Sequence, residues 1–330
     1  MTPKTKKILK KLLYPTVAIL LVLWVYNKIQ PNEVLADLKG ANYFWVALAA
    51  LAGLFSHFIR AVRWKLLIEP MGYKARVRTS FYAVMVGYTV NYATPRVGEV
   101  VRCALKSKTD DIPVDKLVGT VFTERVFDLL VTLLVTIIAV FSQYQLIEDF
   151  VMKALNSAEG SGTGKLYILG GLALAGIAGL LVYLWLKKRE NNPLLIQKVI
   201  DFLDGLFEGA KSIFKLKRPW LFLLYTVIIW LMYFLVSYLI FFALDGTSHL
   251  GLDAAVTTLI VATFAVIIPA PGGLGSFHYF VPQGLLLYGI NISLGTSYAI
   301  ISHGSQMLMI LIAGGLSMLM IWLEERKALQ

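Results

Sequence analysis

The sequence predicts an all-α polytopic membrane protein, with about six spanning helices plus two oppositely oriented re-entrant hairpins in an inverted-repeat-like arrangement. Three observations predict it. Apolar runs of about 20 residues recur along the chain, long enough to cross a hydrocarbon core of roughly 30 Å. Two of those runs are interrupted by proline and glycine. The basic residues beside the interrupted runs do not fit a simple alternation of sides. Of 330 residues, 58% are hydrophobic and 15% charged, and the polar stretches between runs are all short, so a single transmembrane domain over residues 1–330 is expected.

The opening "MTPKTKKILKKLLYPTVAILLVLWVYNKIQ" has the basic start and apolar core of a signal peptide. No small-x-small cleavage pattern follows, so it reads as a retained anchor. The apolar segments are 8–27, 42–66, 79–105, 117–141, 166–186, 219–244, 254–290 and 296–323. Six read as simple spans. Pro95 and Gly98 interrupt the third, and "PAPGGLGS" at 269–276 interrupts the seventh.

Lysine and arginine collect on the cytoplasmic side of membrane proteins. Lys74, Arg76 and Arg78 precede the third segment, and Arg102, Lys106, Lys108 and Lys116 follow its interruption. Both flanks are therefore expected in the cytoplasm. The flanks of the seventh, "DGTSHLGLD" and "INISLGTS", contain neither residue and are expected outside. With both termini cytoplasmic in a plasma (inner) membrane, 25 of the 31 basic residues fall on cytoplasmic positions, including six in 60–78. Lys28, Lys39, Lys153 and Lys165 fall outside, and Arg96 and Arg125 remain within the bilayer. Orientation thus accounts for the net charge of +11 without nucleic acid. One cysteine, Cys103, and four dispersed histidines give no disulfide and no metal-ligand spacing. No cofactor is expected.

Broken backbone deep in a bilayer needs protein or water around it, because each unpaired backbone group in lipid costs several kcal/mol. Oppositely oriented broken segments in the two halves of a chain also point to a transporter-type site. At the first tip, Thr94 followed by Pro95 reads as a helix cap and first helical position. Arg96, Glu99, Arg102 and Lys106 then share one face of the returning helix. On the next span Thr120, Glu124, Asp128 and Thr132 are each four apart and stack on one face, with Arg125 beside them. These charges form either a structural ion network or a substrate site, and the two readings are compatible; intramembrane charges cost roughly 2.5–3.5 kcal/mol each on insertion scales.

The second tip, "PAPGGLGSFHYF", carries glycines whose N–H groups can converge on an anion at a helix start, or that simply permit a tight turn. Ser276 reads as the cap of the returning helix. His278 reads as an interior histidine or as a proton-labile group lining a cavity.

"ATPRVGEVVR" with "TERVFD" downstream, and "PAPGGLGSFHYF" near the end, resemble the flippase-like integral membrane family that includes the transmembrane region of lysylphosphatidylglycerol synthase. The resemblance covers nearly the whole chain. It implies binding and transbilayer movement, of flippase or scramblase type, of an anionic lipid, either a phospholipid or a polyprenyl-phosphate-linked glycolipid. By position, Arg96, Gly98 and Glu99 match the first motif, Glu124, Arg125 and Asp128 the second, and Pro271, Gly272, Gly273 and Gly275 the third. His278 stands where the family commonly has glutamate. The resemblance also leads to the expectation that the aminoacyl-transferring domain, and with it synthase activity, is absent.

The stretch 194–217 places Leu195, Val199, Phe202, Leu203, Leu206 and Phe207 on one helical face with lysines around it, and reads as an interfacial amphipathic helix. The stretch 156–165 reads as an outer loop.

Three function classes follow. A lipid translocase takes an anionic headgroup as partner, through substrate-binding residues Arg96, Gly98, Glu99, Arg102, Glu124, Arg125, Asp128, Gly272, Gly273, Gly275 and His278, with no catalytic residue. An intramembrane enzyme uses a Ser276/His303 pair. A scaffold uses neither. Homo-oligomerisation stays open.

Overall fold

A computed structural model describes residues 28–94, 96–143, 193, 197, 200, 204, 216–267 and 270–328. The first and fifth apolar segments and nearly all of the expected interfacial helix lie outside the described residues. So do Pro95 and Pro269.

The protein is all-α among the described residues: α1 (Pro31–Gly40), α2 (Tyr43–Ile68), α3 (Val77–Ala93), α4 (Gly98–Asp110), α5 (Val114–Ser142), α6 (Pro219–Phe241), α7 (Leu252–Ile267), α8 (Ser276–Leu286) and α9 (Ile292–Ala328). Among the described residues, four stretches are long and apolar enough to cross a membrane: Tyr43–Met71, Val114–Ser142, Pro219–Phe241 and Ile292–Lys327. They coincide with four of the six expected simple spans. The chain divides into two compact units, residues 1–124 with 216–330, and residues 125–215; α5 begins in the first and ends in the second. Of the second unit, the described residues are the rest of α5, Gln143, and residues 193, 197, 200 and 204.

Within the first unit, each interrupted segment is a helical hairpin. α3 and α4 run antiparallel: at their tip end Gly87 and Gly98 let the two backbones touch, a β-carbon on Gly87 falling 2.8 Å from the Gly98 carbonyl oxygen. At the other end Lys106 Nζ donates to the Arg76 carbonyl at 2.9 Å. α7 and α8 form the second hairpin, closed at its base by the Thr257–Tyr288 hydroxyl pair at 2.8 Å and along its length by Gly284 against Val261.

The long helix α9 orders both hairpins. Near its start, Gly295 packs on Pro282 of α8 and Leu294 on Gly246. In its middle, His303 Nε2 lies 2.7 Å from the carbonyl oxygen of Gly272, at the second tip. Farther on, Thr89 Oγ1 donates to the Ile310 carbonyl at 3.2 Å and packs on Gly314. At its end, Glu324 pairs with Arg78 at 3.1 Å and Glu325 with Lys108 at 2.7 Å. The hairpins therefore lie end to end along α9 and point at each other, and their tips meet where the ring of Tyr92 packs on Gly272.

The two halves of this unit differ in polarity. Around the second hairpin lies an apolar core of Ala49, Phe241, Ala255, Phe277, Leu285 and Tyr298, with their neighbours. α2 and α6 run antiparallel beside it and carry their polar ends to the first hairpin, where Arg63 Nη1 donates to Thr226 Oγ1 at 2.9 Å.

Candidate functional site

The first tip is built differently from the Thr94–Pro95 cap that the sequence suggests. α4 begins only at Gly98, and Val97 stands in the cap position without a side-chain hydrogen bond. Asn91, on the preceding helix, does that work: its Oδ1 accepts from the Gly98 N–H at 2.8 Å, and its Nδ2 donates to Glu99 at 3.4 Å. Arg96 therefore lies in the turn and not on the helical stripe. It is exposed, with φ of 66°, a left-handed conformation uncommon for a residue with a β-carbon. Among the described residues it forms no hydrogen bond or ion pair, and it does not share the face of Glu99, Arg102 and Lys106 on a helix that begins at Gly98.

The remaining stripe divides into a lock and a charge cluster. Lys106 is fully buried and uses all three of its donors: on the Arg76 carbonyl, on Thr79 Oγ1 at 2.9 Å, and on Asp110 at 2.5 Å. Asp110 also accepts from the Arg76 N–H at 2.9 Å, from Arg76 Nε at 3.2 Å and from Thr79 at 2.8 Å. A buried ion pair with its hydrogen bonds complete is a structural element, and this one fastens the base of the first hairpin.

Deeper in, Glu124 is wholly buried between two arginines. Arg102 pairs with its Oε2 and Arg63 with its Oε1 at 3.6 Å. Each guanidinium also lies against an aromatic face, Arg102 at 4.0 Å from the Trp64 ring centroid and Arg63 at 5.1 Å from Phe222. Trp64 is itself fixed by a 2.7 Å hydrogen bond to Thr120. One turn before Arg63, the buried Arg60 donates to Tyr233 Oη at 3.1 Å. Thus Thr120 and Glu124 do share a buried face, with Arg63 and Arg102 as the cations beside Glu124. On the second unit's portion of the helix, Arg125 pairs with Asp128 at 3.7 Å.

Arg60, Arg63, Arg102 and Lys106, which the sequence reading counts on cytoplasmic flanks, are all buried: Arg60 and Arg63 belong to a helix that runs on to Ile68. The signal was available in the spacing of His57, Arg60 and Arg63, three residues apart on a helix whose other face is apolar.

At the second tip, Gly272, Gly273 and Gly275 have φ of 57°, 77° and 84°, which only glycine adopts readily. The N–H groups of Gly273 and Leu274 close the turn on Ala270 and Pro271 at 3.1 and 3.0 Å. Ser276 is the first helical residue and not its cap, since Gly275 holds the cap position. Its hydroxyl donates to the Gly273 carbonyl at 3.2 Å. His303 is bonded to Gly272, so the Ser276 hydroxyl and the His303 ring are each committed to a tip carbonyl. His278 meets His303 edge to face at 5.1 Å between centroids. The sequence reading did not single out Tyr92, whose role follows from the tip-to-tip contact alone.

Residues 11–314 match the family model described as the lysylphosphatidylglycerol synthase TM region. A UPF0104 membrane protein of Methanocaldococcus jannaschii is 26% identical over 237 residues, 65% of each chain. The glycosyltransferase AglD of Haloferax volcanii is 31% identical over 116 residues, 35% of this chain and 18% of that one. The matched stretches thus span less than two thirds of either curated relative. No solved structure matches.

Proposed function

The chain belongs to the lysylphosphatidylglycerol synthase transmembrane-region family, and on that premise we propose that it binds an anionic lipid and moves its headgroup across the bilayer. The carrying observation is the end-to-end pair of hairpins whose tips meet midway along α9. At 1.5 Å per residue α9 is about 55 Å long and crosses a bilayer fully, whereas α4 and α8 are roughly 20 and 16 Å long and do not. Hairpins of this kind enter from opposite faces and meet near the midplane, the usual place for a transport site. In this reading both termini and the base of the first hairpin face the cytoplasm of a plasma (inner) membrane, and the base of the second faces outside.

The polarity of the two halves supports a headgroup path. Charged groups, Arg102 and Glu124 foremost, line the first hairpin, with Arg96 and Glu99 at its tip. Gly272, Gly273, Gly275 and His278 form the facing tip. The substrate is a phospholipid or a polyprenyl-phosphate-linked glycolipid; the latter accords with one relative being named a glycosyltransferase. Transport and not catalysis is proposed, because Ser276 and His303 each hold a tip carbonyl. Mass spectrometry of lipids that copurify after mild extraction tests the substrate class: enrichment of a phosphate-bearing anionic lipid over the bulk membrane is expected, and a lipid complement identical to the bulk would contradict it.

A further inference from the structure

His278 and His303, two of the chain's four histidines, meet edge to face with 5.1 Å between ring centroids where the hairpin tips come together. We propose that this pair is a proton-binding site that operates the tips: it is neutral while the tips touch and takes up one proton as they part, so that headgroup movement is linked to protons. The link to movement rests on the lipid reading above, and the proton site does not.

His303 holds the central position. Its Nε2 lies 2.7 Å from the Gly272 carbonyl oxygen, which can only accept, so Nε2 bears the hydrogen and Nδ1 is left to bind a proton. The ring stacks on Phe277 at 5.0 Å, and the ring of Tyr92, from the first tip, lies 6.2 Å away with its edge on Gly272. One histidine therefore holds the second tip by a hydrogen bond and meets the first through an aromatic neighbour. A change at this ring reaches both hairpins.

The surroundings favour the neutral pair while the tips touch. His303 is buried and His278 half-buried, and an imidazolium so placed needs a counter-charge or water. Of the titratable groups on the surrounding elements, α3 brings Tyr92, and α8 brings Tyr279, next to His278 in sequence. α2 packs on α9 through Ala49 and Gln306 and turns His57 to Tyr88. Asp253 starts α7 at the base of the second hairpin, Glu324 and Glu325 at the end of α9 pair with Arg78 and Lys108, and Arg96 and Glu99 belong to the first tip. Among the described residues the electrostatic neighbour of His278 is His303, and that of His303 is the Gly272 carbonyl; no carboxylate stands ready to balance an added proton. Two imidazoles in contact also repel when both are charged, so the pair takes one proton.

Parting of the tips admits water to the rings and with it the proton, and by linkage the proton favours parted tips. Acid thus opens the contact. With a parted pair that protonates at the ordinary histidine value of about 6.5 and a closed pair that stays neutral, the ratio of parted to closed tips rises about tenfold from about pH 7.5 to about pH 5.5.

The test uses the full chain carrying Cys103→Ala in phosphatidylcholine nanodiscs, with spin labels attached through Thr94→Cys and Leu274→Cys, exposed positions beside the two tips. Double electron–electron resonance reads their separation as pH falls over that range. The otherwise unaltered chain is expected to shift toward a longer separation in acid. His303→Gln keeps an N–H for the Gly272 carbonyl but does not titrate, and is expected to hold the short separation throughout. His249→Gln, exposed at the base of the second hairpin, leaves the shift unchanged. Should His303→Gln fail to fold, NMR of isotope-labelled histidine in the unaltered chain decides: a ring of the pair, assigned with His278→Phe, is expected to titrate together with the separation. A separation that ignores pH, a full shift in His303→Gln, or a pair that does not titrate overturns the proton site. Lipid movement measured in parallel separates the two ideas: movement at one rate across this range with a fixed separation removes the proton site and keeps the transporter, whereas tips that part in acid without lipid movement at any pH keep the proton site and remove the transporter.

Discussion

The ring of Tyr92 occupies the place where a β-carbon on Gly272 would stand, so the tips of the two hairpins are joined by one aromatic side chain on one glycine. Gly272→Ala adds both a clash with that ring and a side chain at φ of 57°. The expected cost is about 1–3 kcal/mol for the overpacking, with roughly another 1–2 kcal/mol for the left-handed backbone. Tyr92→Ala in the same chain should recover the first part and not the second. Unfolding midpoints of the two single variants and the double variant measure this, and strict additivity would show that the tips are not in contact.

Asn91 links the two helices of the first hairpin through the Gly98 N–H. Asn91→Ala removes that bond and should cost about 0.5–2 kcal/mol, the usual range for a lost helix cap. Thr94→Ala should cost far less, because α4 does not begin there. Equal losses in the two variants, read as changes in Tm, would restore Thr94 as the cap.

The lock at the base of the first hairpin has a pH signature. Burial alone raises the Asp110 pKa, but hydrogen bonds from Lys106, the Arg76 N–H and Thr79 outweigh it and hold the carboxyl below its ordinary 3.8. A depressed folded-state pKa stabilises fully above the unfolded value, about 3.9, and that contribution is lost as pH falls through the lower folded value. Wild type and Asp110→Asn should therefore differ most in Tm near neutral pH and converge in acid. A difference that grows in acid is the opposite outcome.

Much of this architecture is legible from the chain alone. The prolines and glycines that break two apolar segments mark both hairpins. Counting charges by position does not show burial: Arg60, Arg63, Arg102 and Lys106 sit near span ends in sequence and are buried in the fold. Sequence spacing gives the face of a helix and not what packs against it. The meeting of Tyr92 with Gly272, across 180 residues of chain, and the placement of Arg63 beside Glu124 are tertiary facts with no local signature. Asn91 is masked for the opposite reason: Thr-Pro is so strong a start signal that it points to a cap at Thr94, whereas α4 begins at Gly98 with its N–H on Asn91.

Topology gives a prediction independent of lipid. Cys103 is buried, and its replacement supplies a background for single cysteines. Positions 74 and 108 should react with an impermeant thiol reagent only from the cytoplasmic side, and positions 249 and 291 only from outside. Reaction of position 108 from outside would remove the opposed hairpins.

The most direct test of the account is transbilayer movement itself. Purified protein is reconstituted into vesicles containing a trace of phosphatidylglycerol with a fluorophore on its acyl chain, and an impermeant reductant is added to bleach the outer leaflet. Protein-free vesicles should retain the inner-leaflet signal. Vesicles with the wild type should lose it progressively, those with Arg102→Lys far more slowly, and those with Arg78→Gln at the wild-type rate. Retention of the inner-leaflet signal by wild-type vesicles, equal to that of protein-free ones, would contradict the account.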